Sequence, residues 1–192
     1  MREGGSDNGT GWADGDGNLD LLVVSDFAGL DLYRNDGRGH FTDVTSQWVA
    51  DSRAFGMSHA LADFNADGRV DLVVTTFEVW PEEKQTLRLY RNTLRGGGNW
   101  IGFKFREEAG RASPVGVQVA LRANGHRAVR HLVTGDSFRS QHPNTVHFGL
   151  GEADRVDRVE VRWTTGQVVT VREPAVNCHH FVRPPPRGSV GN

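Results

Sequence analysis

Asp63-Phe64-Asn65-Ala66-Asp67-Gly68-Arg69-Val70-Asp71-Leu72-Val73-Val74-Thr75 places oxygen-bearing side chains at alternate positions of a nine-residue loop, then runs directly into an apolar segment. Asp63, Asn65, Asp67 and Asp71 stand at loop positions 1, 3, 5 and 9, and Arg69 at position 7 can offer its backbone carbonyl. Calcium takes about six to eight oxygen ligands at roughly 2.3–2.6 Å, and acidic or amide groups at alternate positions supply most of them. Gly68 permits the turn that wraps the chain. An EF-hand begins in the same way but closes on a glutamate at position 12 between two helices. Position 12 here is Val74, inside the apolar run. The spacing therefore predicts a calcium-binding loop that opens a β-strand and serves a structural, non-catalytic role. The plainer alternative is an acidic turn whose aspartates act only as Asx caps.

The pattern occurs twice. Asp16-Gly17-Asn18-Leu19-Asp20-Leu21-Leu22-Val23-Val24 matches Asp67-Gly68-Arg69-Val70-Asp71-Leu72-Val73-Val74-Thr75 at an offset of 51 residues. Leu32-Tyr33-Arg34-Asn35 matches Leu89-Tyr90-Arg91-Asn92 at an offset of 57, so the second copy carries six extra residues, expected around Pro81–Lys84. In the first loop Asp14, Asp16, Asn18 and Asp20 fall at positions 3, 5, 7 and 9, while position 1 is Trp12, which cannot ligate. Weaker binding is expected there. Each copy reads as a short apolar strand, a turn and an alternating strand. Copy one goes on through Asp36-Gly37-Arg38-Gly39, a hairpin signal, to a further strand at Phe41–Thr45. A period near 50 residues with three or four strands per unit is the footprint of a propeller blade. Two blades do not close a propeller, so the expectation is a partial one, N-terminally truncated or completed by association with other blades.

Arg95-Gly96-Gly97-Gly98-Asn99 reads as a linker. Beyond it Val117, Val119 and Leu121 alternate with polar residues, as do Val129, His131 and Val133, then Val159, Val161 and Trp163, then Val169 and Val171. This predicts a compact antiparallel β domain with hairpin connections and no amphipathic helix. The expected organisation is all-β: about two blades over 1–95, the second β domain over 96–183 and a disordered Pro-rich tail over 184–192.

Residues 1–99 carry 16 acidic and 9 basic side chains, whereas residues 100–192 carry 8 and 13. The formal net charge is -2 and the arginines are spread evenly, which disfavours a nucleic-acid partner. No apolar run approaches the ~20 residues of a membrane span. Cys178 is the single cysteine, so no intramolecular disulfide forms. Met1–Asp7 has no hydrophobic segment of the kind a secretory signal carries.

The two aspartate-loop repeats resemble the FG-GAP or VCBS repeats of integrin-like propellers. Residues 99–182 resemble the ASPIC/UnbV domain, on Asn99-Trp100-Ile101, the Gly116–Leu121 strand, Gly135 with Ser140-Gln141, His147-Phe148-Gly149-Leu150-Gly151 and Val159–Gly166. The combination resembles the cartilage acidic protein-like family and its bacterial members. Gly116-Val117-Gln118-Val119 and Trp163-Thr164-Thr165-Gly166 depart from the family's usual Gly-Ala-x-Val and Trp-Pro-x-Gly. The resemblance implies a secreted or envelope-associated calcium-binding protein acting in adhesion or ligand recognition, with an unidentified protein or glycan partner. It supplies no reaction.

Other constellations carry less. His179-His180 are adjacent and would face opposite sides of a strand. Ser140 with His142 or His147 and Asp136 lacks a nucleophile-elbow context. Glu107-Glu108 offers carboxylates for an accessory enzyme domain acting on carbohydrate or in natural-product biosynthesis, but nothing places two acids across a cleft. Cys178 beside His179 reads as a half-buried thiol in a terminal strand. Asn8-Gly9-Thr10 fits a glycosylation acceptor but reads as a turn. No catalytic residue is assigned.

Overall fold

The computed structural model describes residues 13–25, 29–50, 52, 56–78, 84–94, 96, 98–133 and 140–186. Trp12, Asp136, Gly135, the Asn8 triplet and most of the Pro81–Lys84 insertion lie outside them.

The two repeats fold as two three-stranded antiparallel sheets. The first contains β1 (Leu21–Ser25), β2 (Gly29–Asn35) and β3 (Phe41–Asp43). The second contains β4 (Gly56–Ala62), β5 (Asp71–Glu78) and β6 (Lys84–Tyr90). In each, the strand that follows the aspartate loop is apolar on the face it buries: Leu22 in β1, Leu72 and Val74 in β5. These meet Leu30, Leu32, Val44, Leu61 and Val70 in one core. β5 is eight residues long against five in β1, so part of the second copy's insertion lengthens the strand itself.

The strand expected over Phe41–Thr45 stops at Asp43. The Asp43 carboxylate accepts the Thr45 amide at 2.9 Å, and Thr45 Oγ1 turns inward to accept Leu32 N at 2.8 Å. A single helical turn, α1 (Thr45–Trp48), follows. Its start is set by local side-chain capture of the backbone rather than by propensity.

A second core begins at Ile101. β7 (Asn99–Phe105) lies between β10 (Thr145–Gly151) and β13 (His179–Val182). A four-stranded sheet runs β12 (Val168–Arg172), β11 (Arg158–Arg162), β8 (Gln118–Ala123), β9 (His126–His131). Ile101, Phe103, Val119, Val159 and Val161 are fully buried, and Trp163 closes the core edge-on to Phe105 at 5.8 Å. The period-2 alternation of β8 and β11 places these valines inward. One expectation is corrected: β13 pairs with β7 in parallel, His179 opposite Gly102. A parallel neighbour needs a long crossover, and the remainder of the domain supplies it.

The described part of the tail, residues 184–186, also differs from expectation. Pro184 is fully buried, Ala112 N donates to Pro185 O at 2.9 Å, and Arg111 bridges Pro186. Proline lacks an N–H but its carbonyl still accepts, so this Pro-rich stretch seals the core instead of fraying. Among the described residues no helix is long and apolar enough to cross a membrane.

Candidate metal centre

The second loop is held by its own side chains. Asp63 accepts Asp67 N at 3.0 Å and Gly68 N at 2.9 Å, and Asn65 Oδ1 accepts Asp67 N at 3.2 Å. Asp67 Oδ1 accepts Arg69 N at 3.0 Å. Asp63, Asn65 and Asp67 are thereby drawn onto one short run of backbone amides. Asp67 Oδ2 collects positive density: Arg69 Nη2 at 2.5 Å, Asn65 Nδ2 at 2.8 Å and Arg91 Nη2 at 3.5 Å.

Asp71 behaves differently. It is buried, and its oxygens accept Phe64 N at 3.1 Å and Asn92 N at 2.8 Å. Asn92 completes the clasp by donating to Val70 O at 3.2 Å. The position-9 aspartate thus ties the loop to the end of β6 and closes the strand pair.

The first loop repeats the plan. Asp14 Oδ1 accepts Asp16 N at 3.1 Å and Asp16 Oδ1 accepts Asn18 N at 2.8 Å. Asp20 is buried and accepts Ala13 N at 3.3 Å and Asn35 N at 2.9 Å, while Asn35 donates to Leu19 O at 2.9 Å. Arg34 reaches back to Asp14 at 2.6 Å and to Asp16 at 3.6 Å. Burial, with repulsion from Asp14 and Asp16 added, lifts the Asp20 carboxyl to about 6, although the amides of Asn35 and Ala13 oppose the shift. A carboxylate so placed favours any nearby positive charge.

Sequence reading missed this second half of the site. Arg34-Asn35 and Arg91-Asn92 were visible as a repeat, but their partners are 15 to 24 residues upstream. In both copies the arginine neutralises the loop and the asparagine clasps it. Arg69 also acts through its side chain, where only its carbonyl was expected.

The donor chemistry fits a hard cation: Asp63, Asn65, Asp67 and Asp71 offer only oxygens, each with lone pairs to spare. The arrangement is not preassembled, since among the described residues no three His, Cys, Asp or Glu side chains stand together as a ready metal cluster. Arg69 and Arg91 hold Asp67 Oδ2, and an ion would have to displace them.

Both loops dock against the second core. Gly151 N donates to Gly15 O at 3.2 Å. A Cβ on Gly149 would stand 2.7 Å from Gly15 O, and one on Gly17 would stand 3.3 Å from Gly149 O. A Cβ on Gly68 would collide with the Trp100 indole nitrogen. Trp100 in turn stacks on the buried His147 ring, with centroids 5.3 Å apart and planes 13° from parallel. The His147-Phe148-Gly149-Leu150-Gly151 stretch is therefore the surface on which the first loop rests.

Residues 108–187 match the family described as ASPIC and UnbV, and residues 13–74 match the one described as FG-GAP-like repeat. In this chain a segment similar to an FG-GAP-like repeat is followed by one similar to an ASPIC and UnbV domain. Cartilage acidic protein 1 of Homo sapiens is 29% identical over 116 residues, which is 60% of this chain and 17% of that protein. The Xenopus tropicalis protein of the same name is 29% identical over 125 residues, 64% of this chain and 18% of its own. The chain thus spans under a fifth of the length of the curated relatives it matches. β7, although N-terminal to the matched stretch, is the central strand of an ASPIC and UnbV domain sheet. Neither family description names an enzyme.

The residues considered for catalysis are engaged elsewhere. Ser140 Oγ donates to His59 O, and His142 Nδ1 accepts Leu61 N at 2.9 Å. Both tie the ASPIC and UnbV domain to β4. Glu107 and Glu108 are exposed, and Glu108 lies 3.8 Å from Arg111. Cys178 Sγ lies 3.4 Å from His180 Nε2, two residues along the same strand end.

Proposed function

We propose that this protein is a calcium-stabilised, non-catalytic binding or scaffold module acting outside the cytoplasm, in adhesion or ligand recognition. Asp63, Asn65, Asp67 and Asp71, with the Arg69 carbonyl, would hold one calcium ion; Asp14, Asp16, Asn18 and Asp20 would hold a second more weakly. The observation that carries this reading is the crowding of positive donors onto Asp67 Oδ2, matched by Arg34 on Asp14 and Asp16. Each loop concentrates negative charge that arginine side chains now offset, a compensation a bound cation would supply more compactly. The ion would neutralise the loop, free those guanidinium groups and fix the start of the strand; it would supply no reactivity. The FG-GAP-like repeat supports ligand recognition, and the relatives' printed name supports a place in an extracellular setting.

Calorimetric titration with calcium, paired with thermal melts in calcium and in EDTA, tests this. The intact protein should release or absorb heat and melt higher in calcium. Asp67→Ala should abolish the calcium-dependent gain while barely moving the melt in EDTA. Asp71→Ala should lower the melt in both, by about 2–4 kcal/mol of stability, because two buried amides lose their acceptor. Folded protein that gives no heat at millimolar calcium would sink the proposal.

A further inference from the structure

The four-stranded sheet of the second domain gathers arginines that stand apart in the sequence. Arg172 of β12 lies opposite Arg158 of β11, Arg158 opposite Arg122 of β8, and Arg122 opposite Arg127 of β9. Directly opposed residues of an antiparallel pair project from the same face. Val119, Leu121, Val159 and Val161 alternate with them along β8 and β11 and fill the core, so the arginines stand on the outer face. Arg122, Arg127 and Arg172 are exposed, and Arg158 is half-buried. Neighbouring strands lie about 4.8 Å apart, so the row runs about 14 Å across the sheet.

Such a row is costly on its own, because like charges directly opposite one another destabilise a sheet. Arg158 is answered by Glu160, two residues along on the same face, which accepts its Nη2. Among the described residues Arg122, Arg127 and Arg172 make no ion pair. Arg162 extends the positive field on the far side of Glu160, opposite Gln118 and Val168. The aspartate loops meet the second domain at Gly149, Gly151 and Trp100, in the other sheet, and do not neutralise this one.

The shape and chemistry of the face narrow the partner. A guanidinium presents paired N–H donors that fit a carboxylate, sulfate or phosphate group. One small anion reaches two neighbours at most, whereas a row of four matches a chain that carries anionic groups in series. Beside the row, Thr170, Ala120 and Val129 are short and keep the surface flat. An acidic protein would need a pocket for aromatic or large apolar anchors, and single-stranded nucleic acid would need rings to stack on. The face supplies neither. An anionic bilayer would need apolar groups to insert beside the charges, and Val168 at the rim is the exposed large apolar side chain here. Gln118 and His131, held to each other at 3.0 Å, add an amide and an imidazole suited to hydroxyl groups.

We infer that the outer face of the β12-β11-β8-β9 sheet docks an anionic polysaccharide, a sugar chain bearing sulfate or carboxylate groups, laid across the strands along Arg172, Arg158, Arg122 and Arg127. This goes beyond the calcium reading and does not require the loops to hold metal.

Titration of the full chain with heparin, dextran sulfate and uncharged dextran, in EDTA at about 0.15 M salt, tests it. At least one sulfated chain should bind, dextran should not, and the affinity should fall steeply as salt is raised. Arg122→Ser with Arg127→Ser removes two exposed, opposed charges, so the thermal melt should hold or rise. The pair should weaken binding roughly three- to thirtyfold, the value of two surface ion pairs. Arg38→Ser with Arg183→Ser takes the same charge from exposed sites elsewhere. That control should cost less than about twofold, because distant charges are screened. Failure of both sulfated chains to bind, an equal loss in the two double variants, or tighter binding of polyglutamate, a poly(dT) oligonucleotide or phosphatidylserine vesicles would each overturn the assignment. Calcium heats do not enter, so the metal reading stands or falls separately.

Discussion

His59 and His147 sit in interiors that resist protonation. Burial, with repulsion from His142 for the first and from His179 and Arg130 for the second, holds both rings at about 4 instead of 6.5. Between those values the folded protein binds fewer protons than the unfolded chain. The stability they contribute is therefore complete above pH 6.5 and is lost as the pH falls towards 4. Each shift amounts to about 3 kcal/mol at most. Asp20 works in the opposite sense: raised to about 6, it favours the fold below its ordinary value of 3.8 and loses that benefit as the pH climbs through 6. Two imidazoles against one carboxyl leave a net loss on acidification. Urea unfolding in EDTA at pH 6.5 and 4.5 should show the intact protein weaker at the lower pH. His147→Phe should lose less over the same interval, by about 2 kcal/mol. Parallel pH profiles would mean that the ring is not buried neutral.

The elements divide by how local their causes are. The aspartate loops were legible in the sequence because Asp14, Asp16, Asp63, Asn65 and Asp67 each capture an amide two to five residues ahead. The strands after them were legible from apolar runs, and β8 and β11 from strict alternation. β13 was read as a terminal strand, but its parallel pairing was not, since its partner strand lies far back in the chain. Nor was the clasp by Asn35 and Asn92, which needs the hairpin to be closed before it can form. The glycines of the His147–Gly151 stretch were readable as a family motif but not as a contact. Their reason is the approach of a foreign loop, with Gly15 O 2.7 Å from where a Gly149 side chain would begin. Gly149→Ala should therefore leave the second core folded and force the first loop away, at about 1–3 kcal/mol, the usual range for overpacking. Hydrogen exchange should quicken at Asp16 and Asn18 while staying slow at Ile101 and Phe103. Unchanged exchange in the loop would show that the docking is loose.

At the scale of the whole molecule the two cores are unequally finished. The ASPIC and UnbV domain encloses Ile101, Phe103, Val159 and Val161 completely and seals one flank with Pro184. The repeat sheets share one core on their inner faces, yet Leu87 and Leu89 on β6 are 70% and 63% exposed. They occupy one face of an edge strand, alternating with Arg88 and Tyr90. An edge strand with two exposed leucines on one face is a template for another strand. No proline interrupts Lys84–Tyr90, and Arg88 shares the inner, half-buried face with Thr86 and Tyr90. For this chain on its own, the complementary surface at hand is β6 of a second copy. The two would pair antiparallel and bury four leucines, at about 1.5–3 kcal/mol for each one fully covered. Sedimentation velocity over a concentration series should show reversible self-association. Leu87→Lys with Leu89→Lys should abolish it without shifting the thermal melt, because neither side chain contributes to a core. An intact protein that sediments as a monomer at every concentration would mean that the edge is protected, and a melt lowered by the double variant would mean that the leucines are packed.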